Sequence, residues 1–310
     1  MRITKYLILI LVFALGSPLM FTQEESATDE PATAPEPAIS VEGDEITLGI
    51  YDPNLLQGRA GVIRLRGMSI TEAQADIFSR QFDFFYVPEE DAWFALIVAR
   101  MDQPIRKYDL VVSVVTENQN EAQILQSQVN VVNGRFIQQE VILPPDEALE
   151  SLLDPQIEAD ELALLFRLAE PVQERLWDEH GFIAPLNSEL TSPFGAVRVF
   201  NDTLDSVHTG WDFRAEIGDL MVATANGQVA FAGTLPLRGN YVLIDHGRGV
   251  YSGYAHLSVR FMTQGQFVHQ GQIVGRVGST GRSSSAHAHI EFIVAGQWVD
   301  AADFLRIYLP

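Results

Sequence analysis

Near the C-terminus, the run Ser285-Ala-His-Ala-His-Ile-Glu-Phe292 sets two histidines and a glutamate at alternate positions. In a strand, His287, His289 and Glu291 share one face while Ala288, Ile290 and Phe292 take the other. The two imidazoles then lie about 7 Å apart by strand rise. That is near enough for one to hold a metal while the other handles the proton of a metal-activated water. Two further stretches offer similar side chains, His208-Thr-Gly-Trp-Asp212 and Tyr254-Ala-His256-Leu257. In a straight strand His208 and Asp212 would stand about 13 Å apart, and Thr-Gly-Trp is a poor helix. The backbone at Gly210 must therefore bend if both bind one ion. His208, Asp212 and one histidine of the 287/289 pair would supply three protein ligands and leave a fourth position open, the layout of a catalytic zinc site.

The composition narrows the alternatives. Cysteine is absent, which removes disulfides, thiolate nucleophiles, Cys-based zinc sites and a lipid-modified Cys anchor together, so a metal must be held by His and carboxylate. The net charge of -21 is uneven: residues 1–184 hold 31 acidic and 12 basic side chains, and residues 185–310 hold 10 and 8. Such a balance argues against nucleic acid as partner, since phosphate binding needs a basic face. Serine hydrolysis lacks its Gly-x-Ser-x-Gly elbow. Gly275-x-x-Gly278-x-x-Gly281 is no phosphate loop, since no Lys-Ser/Thr follows. His246, in a glycine-bounded strand-turn, is expected to be structural or exposed, and His180 and His269 to lie on the surface. Glu291 either orients a ligand histidine or is solvated.

The elements that must position these residues follow from the patterning. The chain of 310 residues is long enough for two cores. Residues 1–22 combine Arg2 and Lys5, the apolar run Leu7–Leu15 and a small-x-small site at Ala14-Leu15-Gly16, the pattern of a signal peptide or N-terminal anchor. Residues 23–39 form an acidic, Pro-rich linker with little to bury. Residues 40–144 carry β-rich runs at Ile46–Tyr51, Val62–Arg66, Phe82–Val87, Ala92–Arg100, Tyr108–Val115 and Phe136–Leu143, which predicts an immunoglobulin-like β-sandwich with room for a tyrosine corner at Tyr108. Residues 145–184 turn helical, with Leu162, Leu165, Phe166 and Ala169 at helical spacing. Pro171 breaks the run, and a second short helix is expected over 172–179. Residues 185–310 hold 15 of the 23 glycines between short strands, which predicts a compact antiparallel β domain. The fold class expected is mainly β: sandwich, short helical connector, antiparallel β domain.

Several motifs, in order along the chain, carry a resemblance. They are Ser192-Pro-Phe-Gly195, His208-x-Gly-x-Asp212, Gly239-Asn-Tyr-Val-Leu-Ile-Asp-His-Gly247, Tyr254-Ala-His-Leu257, Gly265-Gln-x-Val-x-x-Gly-Gln-Ile-Val-Gly275, Gly278-Ser-Thr-Gly-Arg282 and His287-x-His-Ile-Glu291. From about Ser192 to Asp303 the chain resembles the lysostaphin-type, LytM-like zinc metalloendopeptidases of bacterial cell walls. The resemblance implies that His208, Asp212 and His289 ligate one Zn2+ per chain and that His256 and His287 are the catalytic pair. It also implies a peptidase domain of lysostaphin/LytM type over 185–310. Family members usually have Gly-Pro before the His pair and Leu within it. Here Ser285-Ala286 and Ala288 stand instead, which touches substrate preference more than ligation.

The expectation is an extracytoplasmic zinc endopeptidase that cuts peptide bonds in peptidoglycan, with an N-terminal sandwich that serves as spacer or as a dock for an envelope protein. The rival expectation is a catalytically idle scaffold of the same fold that binds cell-wall peptide or activates a partner amidase.

Overall fold

The structure, a computed structural model, describes residues 35–117, 121–143, 149, 151–168, 174–178, 181–200 and 204–309. The leader expected at 1–22, most of the linker expected at 23–39, and His180 lie outside the described residues. Among the described residues no helix is long and apolar enough to cross a membrane.

Residues 39–132 build two five-stranded sheets. One runs in the order Ile39–Glu42, Ile46–Ile50, Arg59–Gly67, Ala92–Ala99, Phe85–Val87; the other runs Asn54–Leu56, Gln123–Val132, Lys107–Thr116, Ile70–Ile77, Arg80–Asp83. The strand Lys107–Thr116 displays the expected period of two, with Tyr108, Leu110, Val112 and Val114 buried. At its start the Tyr108 hydroxyl donates to Pro104 O at 2.9 Å, the bond of a tyrosine corner. The expected strand Phe82–Val87 is two strands, because the chain crosses at Phe84 from one sheet to the other. Two long strands were not anticipated, Ile70–Ile77 and Gln123–Val132. The first turns Ala73 and Ala75 to the core, small residues with weak strand preference.

The helix Pro155–Leu168 starts where the Asp154 carboxylate accepts from Gln156 N–H at 2.9 Å, a capping contact that offsets an unpaired helix donor. No second helix follows at 174–178, which is irregular and sends Trp177 into the core. The driving force there is aromatic burial rather than helical spacing. Trp177 packs edge-on to Phe85 at 6.0 Å between ring centres and lies 5.9 Å from Phe182, which meets Phe292 at 5.6 Å and Phe304 at 5.3 Å. One apolar core therefore runs from the N-terminal sheets into the C-terminal ones.

The C-terminal part is organised on one antiparallel sheet ordered Leu190–Ser192, Trp211–Phe213, Ala288–Val294, Val250–Leu257, Gly239–Gly247, Gly227–Leu235, Phe267–Val268. The segment expected as strand at Phe136–Leu143 pairs over Gln138–Val141 with Val197–Phe200, in parallel. It thus forms a wall of the C-terminal part instead of closing the sandwich.

Candidate metal centre and its cleft

Sheet register brings the chemistry together. Asp212 on Trp211–Phe213 faces His289 on the antiparallel strand Ala288–Val294, and Ala255 of the third strand faces His289 from the other side. His208 reaches the same point from the loop before Trp211, and Gly210 lets it do so. A Cβ there would meet Ile290 O at 2.2 Å and His289 Nε2 at 2.8 Å. The glycine is required by close approach of the backbone rather than by a left-handed turn.

His208 Nε2 lies 3.1 Å from Asp212 Oδ1 and 3.1 Å from His289 Nδ1, and the last two are 2.9 Å apart. The three donors form a near-equilateral triangle. Ligands bound to a tetrahedral zinc at its usual bond lengths are about 3.3 Å apart, so the set fits such an ion with small adjustments. His256 and His287 flank it, the His256 ring centre lying 5.6 Å from that of His289 and 4.9 Å from that of His287. His256 follows Ala255 and in a flat strand would turn to the opposite face. Its left-handed φ of 56° brings the ring round, a strain of about 1–2 kcal/mol for a non-glycine residue.

Each imidazole spends one nitrogen on a fixed partner. His208 Nδ1 donates to Pro193 O at 2.7 Å, His256 Nδ1 to Thr280 O at 2.7 Å and His287 Nδ1 to Ser285 O at 2.8 Å. A carbonyl only accepts, so in the neutral rings these Nδ1 atoms carry the hydrogen and each Nε2 is bare. His289 differs: its Nε2 lies 3.8 Å from Glu291 Oε2, beyond hydrogen-bond reach, and its Nδ1 meets Asp212 Oδ1 at 2.9 Å. As neutral metal ligands, His208 and His289 would turn two lone pairs toward a carboxylate oxygen within 3.1 Å, an arrangement that a cation among them relieves. His287 Nε2 is moreover buried without a hydrogen bond among the described residues, 3.5 Å from Asp212 Oδ1.

Burial sets the charges. It pushes the His208 pKa down to about 4 against the pull of Asp212, holds His256 well below the ordinary value, and lowers His287. These rings are neutral near pH 7. For His289 burial also lowers the pKa, but hydrogen bonding and attraction from Asp212 and Glu291 outweigh it and the net shift is upward. Burial raises Asp212, yet His208 and His289 overcome it and leave the carboxyl well below its usual range.

Behind the cluster lies a network that sequence reasoning missed. Arg198 donates to the far oxygen of Asp212, Oδ2, and so aims Oδ1 at the histidines. Glu291 is not solvated: it is 0% exposed and accepts from Arg238 Nε at 2.7 Å, Arg238 Nη2 at 2.9 Å, Thr209 Oγ1 at 2.8 Å and Trp298 Nε1 at 3.0 Å, with Tyr241 Oη also bonded. Arg238 Nη1 continues to Glu161 on the helix at 2.7 Å. Glu291 stood in the His287-x-His-Ile-Glu291 run, but no motif flagged Arg198, Arg238 or Glu161, because a buried pair is recognised only when two distant stretches meet. His246 is buried, between Asn226 O and Ser252 Oγ at 2.7 Å each, and His269 is on the surface.

Comparison with known proteins agrees with this arrangement. Residues 206–301 match peptidase family M23. The chain is 40% identical over 129 residues to the DD-carboxypeptidase/endopeptidase Mpg of Neisseria meningitidis serogroup B, a stretch covering 40% of this chain and 29% of that protein. It is 40% identical over 94 residues to the peptidoglycan DD-endopeptidase ShyA of Vibrio cholerae serotype O1, covering 30% of this chain and 22% of that protein. The chain thus spans less than a third of either relative. Its fold is similar to the crystal structure of a peptidase M23 from Pseudomonas aeruginosa, with a TM-score of 0.59 and 22% identity over 81% of this chain and 94% of the other. The match to peptidase family M23 falls on residues 206–301, the stretch that carries His208, Asp212, His256, His287 and His289.

Proposed function

We propose that the protein is a zinc-dependent endopeptidase that hydrolyses peptide bonds in peptidoglycan stem peptides or cross-links outside the cytoplasm. The observation that carries this reading is the triangle of His208 Nε2, Asp212 Oδ1 and His289 Nδ1, each edge 2.9–3.1 Å, with two further neutral imidazoles beside it. The relatives named as DD-endopeptidases support peptidoglycan peptides as the substrate. In this reading His208, Asp212 and His289 hold one zinc per chain. Zinc bound there supplies Lewis acidity and a water acidic enough to attack a carbonyl near neutral pH.

The chain's own residues do the rest. His256 and His287, each pinned through Nδ1 to a carbonyl, present Nε2 as a base. Between them they take up the proton of the attacking water and return it to the leaving amine. Arg198 keeps the Asp212 carboxylate from rotating, and the Arg238–Glu291 pair backs His289.

We read residues 1–22 as a signal peptide or anchor, 23–39 as a tether, 40–144 as the accessory sandwich, 145–184 as the connector and 185–310 as the peptidase domain. The tyrosine corner at Tyr108 supports an immunoglobulin-like type for the sandwich, whose free faces suit docking to an envelope protein. The test is to incubate the purified protein with defined cell walls, with and without a chelator, and to weigh the released fragments by mass spectrometry. Fragments differing by one hydrolysed peptide bond, released only when metal is present, are expected. Zinc bound in stoichiometric amount with no fragment released would favour the idle scaffold instead.

A further inference from the structure

An endopeptidase holds its substrate on both sides of the bond it cuts, and around this cluster the two sides differ. On one side is an open groove of about 490 Å3 whose walls include Gln139, Thr191, Arg198, Asp212 and His287. On the other, beneath the helix Pro155–Leu168, a cavity of about 60 Å3 lies among Glu158, Leu162, Ser206, His208, Arg282 and His289. It is the narrower of the two spaces, and Arg198, Phe200 and Arg282 line both.

The helix fills this side of the cleft, and the group it puts there is a carboxylate. Both oxygens of Glu158 lie 2.9 Å from Ser206 Oγ, and one accepts from Arg282 Nη2 at 3.0 Å. Arg282 Nη2 is also 3.0 Å from Ser206 Oγ, and its guanidinium stacks over Phe200 at 4.5 Å. Arg282 is therefore held rigidly by neighbours. Yet Glu158 engages only one arm of the fork, and Nη1 is buried with no partner among the described residues. A planar fork so held is suited to a carboxylate that it can grip with both arms. Arg282 and Ser206 belong to the matched segment 206–301, whereas Glu158 comes from outside it. The carboxylate is thus brought to the peptidase domain by the connector.

We propose that Arg282 and Ser206 form a subsite for a free carboxylate of the peptide substrate, and that Glu158 of the connector helix occupies it from within the chain. Substrate and helix then compete for the same cation. This rests on the peptidase reading above, and peptidoglycan peptides carry such carboxylates at their free ends.

Zinc-loaded full-length protein is titrated by calorimetry with Nα-acetyl-D-alanyl-D-alanine and with its C-terminal amide. A charge-assisted hydrogen bond changes a binding constant by about tenfold or more. Glu158→Ala should therefore tighten the free acid by about tenfold over the parent protein and leave the amide behind by a similar factor. Adding Arg282→Met should erase that preference. A preference that survives Arg282→Met, as ligation of the acid by zinc alone would give, overturns the proposal, and so does acid binding indifferent to Glu158→Ala. If Arg282→Met fails to fold by circular dichroism, Ser206→Ala replaces it. Acid binding should then weaken by about fivefold with the amide unaffected, and equal losses for both probes overturn the subsite. Hydrolysis of a cross-linked peptide is scored separately. Cutting without an Arg282-dependent preference keeps the peptidase and removes the subsite, whereas Arg282-dependent binding without cutting keeps the subsite and removes the peptidase.

Discussion

Arg238 offers the sharpest energetic test, because among the described residues it is the one cation paired with two buried carboxylates. It sits in the turn between the strands Gly227–Leu235 and Gly239–Gly247, with Glu291 and Glu161 each at 2.7 Å. Arg238→Met keeps much of the stem's volume and removes the charge. Breaking a buried pair by deleting one partner costs about 3–5 kcal/mol. An uncompensated buried carboxylate also escapes by taking a proton, and at pH 7 a carboxyl of free pKa about 4.3 does so for about 3.7 kcal/mol. That escape bounds the penalty for each acid. Glu291 retains the neutral donors Thr209, Tyr241 and Trp298, whereas Glu161 retains the Leu237 N–H at 2.7 Å. The net loss expected is about 4 kcal/mol at pH 7. The escape becomes cheaper by about 1.4 kcal/mol per pH unit, so at pH 5.5 the loss should shrink by about 2 kcal/mol. Urea unfolding of parent and variant at the two pH values measures both quantities. A loss below about 1 kcal/mol at pH 7, or one that does not change with pH, would refute the claim that Arg238 neutralises buried charge.

Three further outcomes are expected. His289→Ala should lose bound zinc and activity together, while His256→Ala should keep zinc within about twofold and lose at least about 100-fold in turnover; metal analysis beside a rate assay separates them, and retained activity in His289→Ala would sink the ligand assignment. His246, whose pKa burial pushes down to about 4, should make the fold acid-sensitive. The unfolded chain gains that proton near pH 6.5 while the folded one does not, so stability is full above pH 6.5 and lost as pH falls toward 4. The total is about 3 kcal/mol, and denaturation series between pH 7.5 and 4 should show His246→Asn with a flatter slope than the parent. Gly210→Ala should cost about 1–3 kcal/mol from overpacking and weaken zinc retention, because the new methyl would press on a backbone oxygen that cannot yield. Unchanged stability and metal content would mean that the loop around Gly210 moves freely.

The chemistry was legible in the chain because its signal is local. Strand alternation alone predicts that His287, His289 and Glu291 share a face; the strand begins at Ala288, and His287 just before it still reaches Asp212 Oδ1 at 3.5 Å. The bend at Gly210 was legible as a necessity of distance, although the reason for glycine there, backbone against His289, was not. Strands built on β-branched and aromatic runs could be read directly. Ile70–Ile77 could not, since its core face is filled partly by alanine and its register is fixed by pairing with Lys107–Thr116. What stayed hidden is what depends on two distant segments meeting: Arg198 on Asp212, Arg238 between Glu161 and Glu291, Glu158 on Arg282 and Ser206. In each of these the sequence separation exceeds any helical or strand period, and in the last two the helix Pro155–Leu168 supplies an acid to a cation from the C-terminal part. By periodicity the same helix reads only as a connector, because the pattern shows its apolar face and not the partners of its acids. Glu161 is buried against Arg238 and Glu158 is part-buried against Arg282: a carboxylate taken out of water needs a fixed cation, and both cations stand at the cleft that holds the four histidines.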